Sequence, residues 1–126
     1  MTPRICIVGL GSIGSRHVDT LLSMGCKELV AVEPRPMPNE ERLPVVDQLA
    51  ELDGWEVMHA LICSPPELHY NHAKFFLDRG IPTFIEKPMT HTLLEAKTLC
   101  KIALENKTAL AVGYMERAHP TVLAAR

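Results

Sequence analysis

The feature that most constrains this chain is Gly9-Leu10-Gly11-Ser12-Ile13-Gly14, which follows directly on the apolar run RICIV at residues 4–8. RICIV is short, β-branched and apolar on both sides of the alternation, as in a strand buried on both faces. Residues 12–24 then place Ile13, His17, Leu21 and Met24 on one helical stripe, and Gly25 supplies a stop. Glycines spaced G-x-G-x-x-G between a strand and a helix answer three steric demands. Gly9 allows a tight turn. Gly11 lets the backbone approach a pyrophosphate with no Cβ in the way. Gly14 lets the helix close on the strand. The helix start then offers unpaired N–H groups and a positive dipole end to phosphates. Ser12 and Ile13, inside the turn, join the three glycines as expected dinucleotide contacts. A glycine-rich turn without a ligand is the competing reading.

The rest of the chain repeats strand and helix. Strands are expected at residues 29–32, 45–46, 57–63, 82–85 and 110–112. Between the second and third lies PRPMPNEERLP, residues 34–44, whose prolines argue against a regular helix. Residues 47–52 suit one or two helical turns. Ser64-Pro65-Pro66-Glu67 reads as a helix start capped by Ser64, with Leu68, His72, Phe75 and Phe76 on one side and Gly80 at the end. Thr92-Leu93-Leu94-Glu95 fits a capping box, opening a helix with Ala96, Leu99, Cys100 and Ala103 inward. MERAHPTVLAAR, residues 115–126, reads as a loop and a new helix start. This alternation implies parallel strands joined by right-handed crossovers. The expected fold class is α/β, a doubly wound parallel sheet with helices on both faces and strand order 3-2-1-4-5-6.

Glu33 ends the second strand, nineteen residues after Gly14. An acid about twenty residues past the glycines accepts hydrogen bonds from the adenosine ribose and repels a 2′-phosphate. NAD is therefore expected before NADP. Arg35 complicates the choice, because its guanidinium can bind a 2′-phosphate if Glu33 turns away.

Composition narrows the partners. Hydrophobic residues are 47% and charged residues 22%, so disorder is not expected. A net charge of −2, with no basic block, gives no reason for a nucleic-acid partner. No apolar run approaches the roughly eighteen residues of a membrane span, and residues 5–8 are too short for a signal-peptide core. A cytoplasmic protein is expected. Cys6, Cys26, Cys63 and Cys100 lie far apart without a C-x-x-C, so buried free thiols are expected rather than disulfides or metal ligands. His69 and His72 are three apart but have no acid or cysteine near them in sequence, and no metal site is expected.

Three further pieces follow strands four, five and six: SPPELH at residues 64–69, EKP at 86–88 and GYMER at 113–117. Ligands of open α/β sheets bind outside the carboxyl ends of the strands, so all three should border the crevice of the glycine turn. Together with GLGSIGSRH at residues 9–17, these pieces resemble the Gfo/Idh/MocA family of NAD(P)-dependent oxidoreductases. That family includes glucose–fructose oxidoreductase and inositol dehydrogenase. The likeness runs through to His119-Pro120. It implies a Rossmann domain that binds a nicotinamide dinucleotide for hydride transfer to or from a sugar, polyol or related carbonyl compound.

The resemblance also assigns residues. Lys87 would reach the reacting carbon as the catalytic residue and help the substrate hydroxyl lose its proton. Glu86 would hold the nicotinamide ribose, and the Lys87-Pro88 bond is expected to be cis. Ser64, Pro65 and His69 would line the dinucleotide path, and Tyr114 and Arg117 would flank the nicotinamide. Arg16 and His17 stay open between phosphate contact, packing and solvent.

Two departures from the family pattern stand out. The proline-rich 34–44 replaces a helix, which loosens the cofactor preference. The family also carries a second α/β domain, often with the oligomer interface, for which this chain has no residues. The expectation is therefore residues 1–118 as the dinucleotide-binding domain and 119–126 as the start of a connecting helix, in a piece of a longer enzyme. Alone, the chain should be inactive, and a homo-oligomer is admitted for the full-length protein. A non-catalytic nucleotide sensor is the alternative.

Overall fold

The computed structural model describes residues 4–113. The elements in chain order are β1 (Arg4–Val8), α1 (Ser12–Ser23), β2 (Leu29–Val32), β3 (Val45–Val46), β4 (Val57–Ile62), α2 (His69–Leu77), β5 (Thr83–Glu86), α3 (Leu93–Glu105) and β6 (Leu110–Gly113). Short 3-10 turns at Leu49–Leu52 and Pro66–Leu68 precede β4 and α2. Among the described residues no helix forms in the proline-rich stretch between β2 and β3. The segment from residue 115 onward, including the expected connecting helix, lies outside the described residues.

All six strands form one sheet in the order β3-β2-β1-β4-β5-β6, and every pair is parallel. This is the expected doubly wound order. The carboxyl ends of the strands are level: Val8 pairs with both Val32 and Ile62, Val32 with Val46, Ile62 with Ile85, and Glu86 with Gly113. Every loop that leaves a strand therefore starts from one edge of the sheet.

Alternation along β1 divides the interior. Ile7 joins Val18, Leu29, Ala31 and Leu43 in a core under α1. Cys6 and Val8 join Val30, Ile62, Ile85, Phe76, Leu77 and Leu99 in a larger core under α2 and α3. A strand buried on both faces must be apolar at consecutive positions, which is why RICIV shows no polar alternation. Phe76 is fully buried, and burial of such a ring stabilises the fold by about 1.5–3 kcal/mol. Thr92 and Glu95 form the reciprocal capping box that opens α3.

The helices are rotated from their expected phases. On α1 the buried residues are Gly14 and Val18, while Ile13 and Met24 are exposed. The cause is Gly14: a Cβ there would lie 1.8 Å from the Gly9 carbonyl oxygen, so this side of the helix is pressed onto the turn. On α2 the inward residues are His69, Ala73, Phe76 and Leu77, and Leu68 is exposed. On α3, Leu99 and Ala103 face in as expected, but Cys100 is exposed and Ile102 packs on the core instead. All four thiols are free, yet only Cys6 is buried; Cys26 and Cys63 are half-buried.

The proline-rich stretch is held by polar contacts. Arg42 donates to Asp19 Oδ1 and the Ser15 carbonyl of α1, and also to Glu40. Leu43 then fills the core under α1. A helix is not needed where one arginine and one leucine anchor the chain.

Candidate functional site

The glycine turn lies at the level edge of the sheet. Gly9 has φ +98°, a conformation costly for any residue with a Cβ, and a Cβ there would meet Ser64 N at 2.8 Å and Cys63 C at 2.9 Å. Gly9 and Gly14 are thus required by the protein's own packing. Gly11 is different. A Cβ on Gly11 would meet no protein atom within 4 Å, and its φ of −72° suits other residues. Gly11 is the N-cap of α1 and brings no side chain to cap it. The first N–H groups of the helix are left to whatever enters beside them.

Gly9, Gly11, Ser12 and Ile13 line a cavity of about 830 Å³, a size typical of ligand clefts. Its other walls include Glu33 and Arg35 after β2, Leu49 of the 3-10 turn, and Ser64, Pro65 and His72 after β4. The sheet edge therefore brings the expected Gly9, Gly11, Ser12, Ile13, Glu33, Arg35, Ser64 and Pro65 around one cavity, whereas Gly14 does not line it. Cys63 also lines it. Burial, reinforced by the charge of Glu86, pushes that thiol up to about 12, so it is not a nucleophile near neutral pH.

Glu33 is buried, with both carboxylate oxygens occupied. Leu10 N donates to Oε1 at 2.9 Å, tying the end of β2 to the glycine turn. Arg35 adds its backbone N and guanidinium: Nη2 to Oε1 at 2.9 Å and Nε to Oε2 at 3.1 Å. The Arg35 hydrogen bond is the main cause that lowers the Glu33 carboxyl to about 2, against the opposing effect of burial. The Arg35 side chain is 63% exposed, so the pair is anchored on the acid and free to open at the arginine.

This pair has a consequence at low pH. A carboxyl held at about 2 rather than 4.5 contributes stability above its unfolded value and loses it as pH falls toward about 2. Glu40, lowered to about 2 by Arg42, acts in the same window. Glu33→Gln should therefore melt lower than the parent near neutrality and show a shallower fall in Tm between about pH 5 and about pH 3, the remainder coming from Glu40. Parallel Tm profiles for the two proteins would show that the Glu33 contacts contribute nothing to folding.

Two expected residues are placed differently. Ser64 does not cap α2, which has no side-chain cap. Its hydroxyl is hydrogen-bonded to His72 Nδ1 at 2.8 Å. Burial is the main cause that lowers the His72 pKa, with the charge of His69 second. His69, expected along the dinucleotide path, is 1% exposed and does not line the cavity. Its Nε2 lies 2.7 Å from the Ser64 carbonyl and its Nδ1 2.8 Å from the Pro88 carbonyl. A histidine at the start of α2 thus ties the loop after β4 to the loop after β5.

Glu86 is buried at the end of β5, and Lys87 beside it is exposed. Neither lines the cavity around the glycine turn. They lie along the same sheet edge, beyond β4. The Lys87-Pro88 peptide is cis, as expected. Tyr114 and Arg117 lie outside the described residues. Sequence reasoning left His17 open; in the fold its Nε2 donates to Glu86 Oε1 at 2.6 Å, across 69 positions of chain. The only signal was its place three residues past Gly14, and nothing near it in sequence names its partner.

Comparison with known proteins agrees with this geometry. Residues 3–114 match the family model GFO_IDH_MocA, described as an oxidoreductase family with an NAD-binding Rossmann fold. The chain is 28% identical over 127 residues to UDP-N-acetylglucosamine 3-dehydrogenase of Acidithiobacillus ferrooxidans, covering 94% of this chain and 39% of that protein. It is 26% identical over 137 residues to inositol 2-dehydrogenase of Rhizobium meliloti, covering 100% of this chain and 40% of that protein. A solved structure of the A. ferrooxidans enzyme, GnnA, superposes with a TM-score of 0.82 at 25% identity, over 98% of this chain and 42% of that one. The chain thus spans about 40% of the length of the relatives it matches. A strand order of 3-2-1-4-5-6, a glycine turn opening on a cleft and a family match over nearly the whole chain lead to one statement: the chain belongs to the Gfo/Idh/MocA oxidoreductase family, whose NAD-binding Rossmann fold it adopts.

Proposed function

We propose that this chain is the cofactor-binding domain of an NAD-dependent dehydrogenase acting on a sugar, a polyol or a related carbonyl compound. The observation that carries the cofactor half is Gly11. Nothing in the protein's own packing asks for glycine there, since a Cβ would project into the cleft and touch no protein atom. A backbone that must lie against a pyrophosphate does ask for it.

The residues present fit a dinucleotide. Gly11, Ser12 and Ile13 would hold the pyrophosphate at the start of α1, and Glu33 the adenosine ribose. Ser64 and Pro65 would form the far wall. Glu86 would hold the nicotinamide ribose, with Lys87 toward the substrate carbon as the catalytic residue and Tyr114 and Arg117 flanking the ring. The nicotinamide, when bound, accepts or gives the hydride. The protein's part is to orient it, and Lys87 would hold or release the proton of the substrate hydroxyl. The substrate class is supported by the relatives, which are named for sugar and inositol dehydrogenation.

NAD is preferred to NADP in this reading. For ribose hydroxyls to reach Glu33, the Arg35 guanidinium, on a side chain that is mostly exposed, swings into water, and the ribose hydroxyls replace its hydrogen bonds to the buried carboxylate. A 2′-phosphate would meet an ionised carboxylate whose backbone anchor at Leu10 keeps it in place. Four unpaired cysteines support a reducing, cytoplasmic setting. Fluorescence titration of the folded chain is the test. NADH should saturate, and NADPH should bind about tenfold more weakly. No response to either cofactor up to millimolar levels would defeat the dinucleotide reading, and tighter NADPH would reverse the preference.

A further inference from the structure

We propose that His17 is a positioning residue for the nicotinamide half of the site: its hydrogen bond to Glu86 Oε1 aims that carboxylate so that Oε2 meets a hydroxyl of the second ribose. The inference rests on the dinucleotide reading and deepens it.

Three elements are built around the Glu86 carboxylate. From α1, His17 Nε2 donates to Oε1 at 2.6 Å. A carboxylate only accepts, so this ring nitrogen carries the proton. From β5, Phe84 meets the His17 ring edge to face, with centroids 6.0 Å apart and planes at 73°, which sets the imidazole plane. From β6, Gly113 gives room: a Cβ there would lie 2.7 Å from Phe84 Cζ and 3.3 Å from Glu86 Oε2. Glycine at position 113 is thus required by the same cluster that holds the acid.

The Glu86 side chain is 11% exposed, and a buried carboxylate has room for about four hydrogen bonds. Among the described residues only His17 donates to it, and no hydrogen bond reaches Oε2. A buried acid with one oxygen fixed and the other left unfilled, at the end of a strand bordering the cleft edge, is suited to receive a ligand hydroxyl. The fixed oxygen decides where the unfilled one points. His17 sits one turn past Gly14, on the helix whose start would carry the pyrophosphate. One rigid helix would then set both the phosphates and the acid for the second ribose, at a constant separation.

The competing role is a staple that joins α1 to β5 and serves only the fold. Three ligands separate the two roles. NADH and ADP-ribose contain the second ribose, whereas ADP ends at the pyrophosphate. Titration of the 126-residue chain and of His17→Ala and His17→Gln, with thermal melts to confirm folding, gives the readout. The chain should bind NADH and ADP-ribose more tightly than ADP. His17→Ala should weaken NADH and ADP-ribose by about tenfold and leave ADP within about twofold. His17→Gln, which offers an N–H near the place of Nε2, should recover most of the loss.

Equal weakening of all three ligands, or of none, would overturn the positioning role. So would an unaltered chain that binds ADP and ADP-ribose equally well, since Glu86 would then gain nothing from the second ribose. A chain that binds none of the three defeats the dinucleotide reading itself, and the His17 role with it.

Discussion

Gly14→Ala is expected to cost this chain about 3 kcal/mol or more of folding stability, enough to remove its cooperative melt if the parent is of ordinary stability. The added Cβ would stand 1.8 Å from the Gly9 carbonyl oxygen and 2.9 Å from its carbon. Both obstacles are backbone, so no side chain can rotate out of the way. Relief requires α1 to lift from the turn, which would open the core of Val18, Ile7 and Ala31 beneath it. Gly9 cannot retreat, because its N–H donates to the Val32 carbonyl and it lies against Cys63 and Ser64. Thermal and urea melts followed by circular dichroism check this. A parental melting curve would show that α1 does not pack here as described.

Gly11→Ala is expected to do the opposite: leave the fold intact and abolish most cofactor binding. The site is open to the cleft and its backbone conformation suits alanine. Two small effects act on stability. Alanine is a poorer N-cap than glycine, and it reduces the entropy of the unfolded chain, so the net change should stay within about 1 kcal/mol. Affinity for NADH should fall by about a hundredfold, because the new methyl group occupies the space where a pyrophosphate must approach the helix start. Two alanines three residues apart would then separate folding from binding. Unchanged NADH affinity in Gly11→Ala, with the parent binding, would move the pyrophosphate away from this turn.

Most of the fold was legible in the sequence because it depends on short-range patterning. β1, β2 and β3 have the bounds expected from their apolar runs, β4 and β6 differ by one residue at one end, and β5 is shifted by one residue. The capping box at Thr92 and Glu95 is a local motif with a local cause. Strand order follows from handed crossovers once the alternation is seen. Helix phase was less legible. On α1, the spacing of Ile13, His17, Leu21 and Met24 suggests one stripe, but the turn buries the side that carries Gly14, a residue without hydrophobic signal. Cys100 and Leu68 were misplaced in the same way, since apolar residues at helical spacing do not say which of two adjacent stripes meets the sheet.

In the site, the glycine turn, Glu33, Arg35, Ser64 and Pro65 come together around one cleft, as the motif spacing anticipated. Glu86 and Lys87 border the same edge outside it. The capping role expected of Ser64 gave way to a bond with His72, and His69 turned inward to join two loops. Each is a polar side chain whose partner lies on another element. No property of the residue itself announces that partner.

What the sequence determined by itself is the succession of buried strands and covering helices, and a turn that only glycine can make between the first two. These need only the pattern of apolar residues and the steric limits of the backbone. What the tertiary structure alone decided is which side of each helix faces the sheet, that Arg35 closes over Glu33, and that His17 reaches Glu86 across 69 positions. Hydrogen bonds of about 3 Å are decided by where folded elements come to rest, and that position is set by the packing of the whole domain.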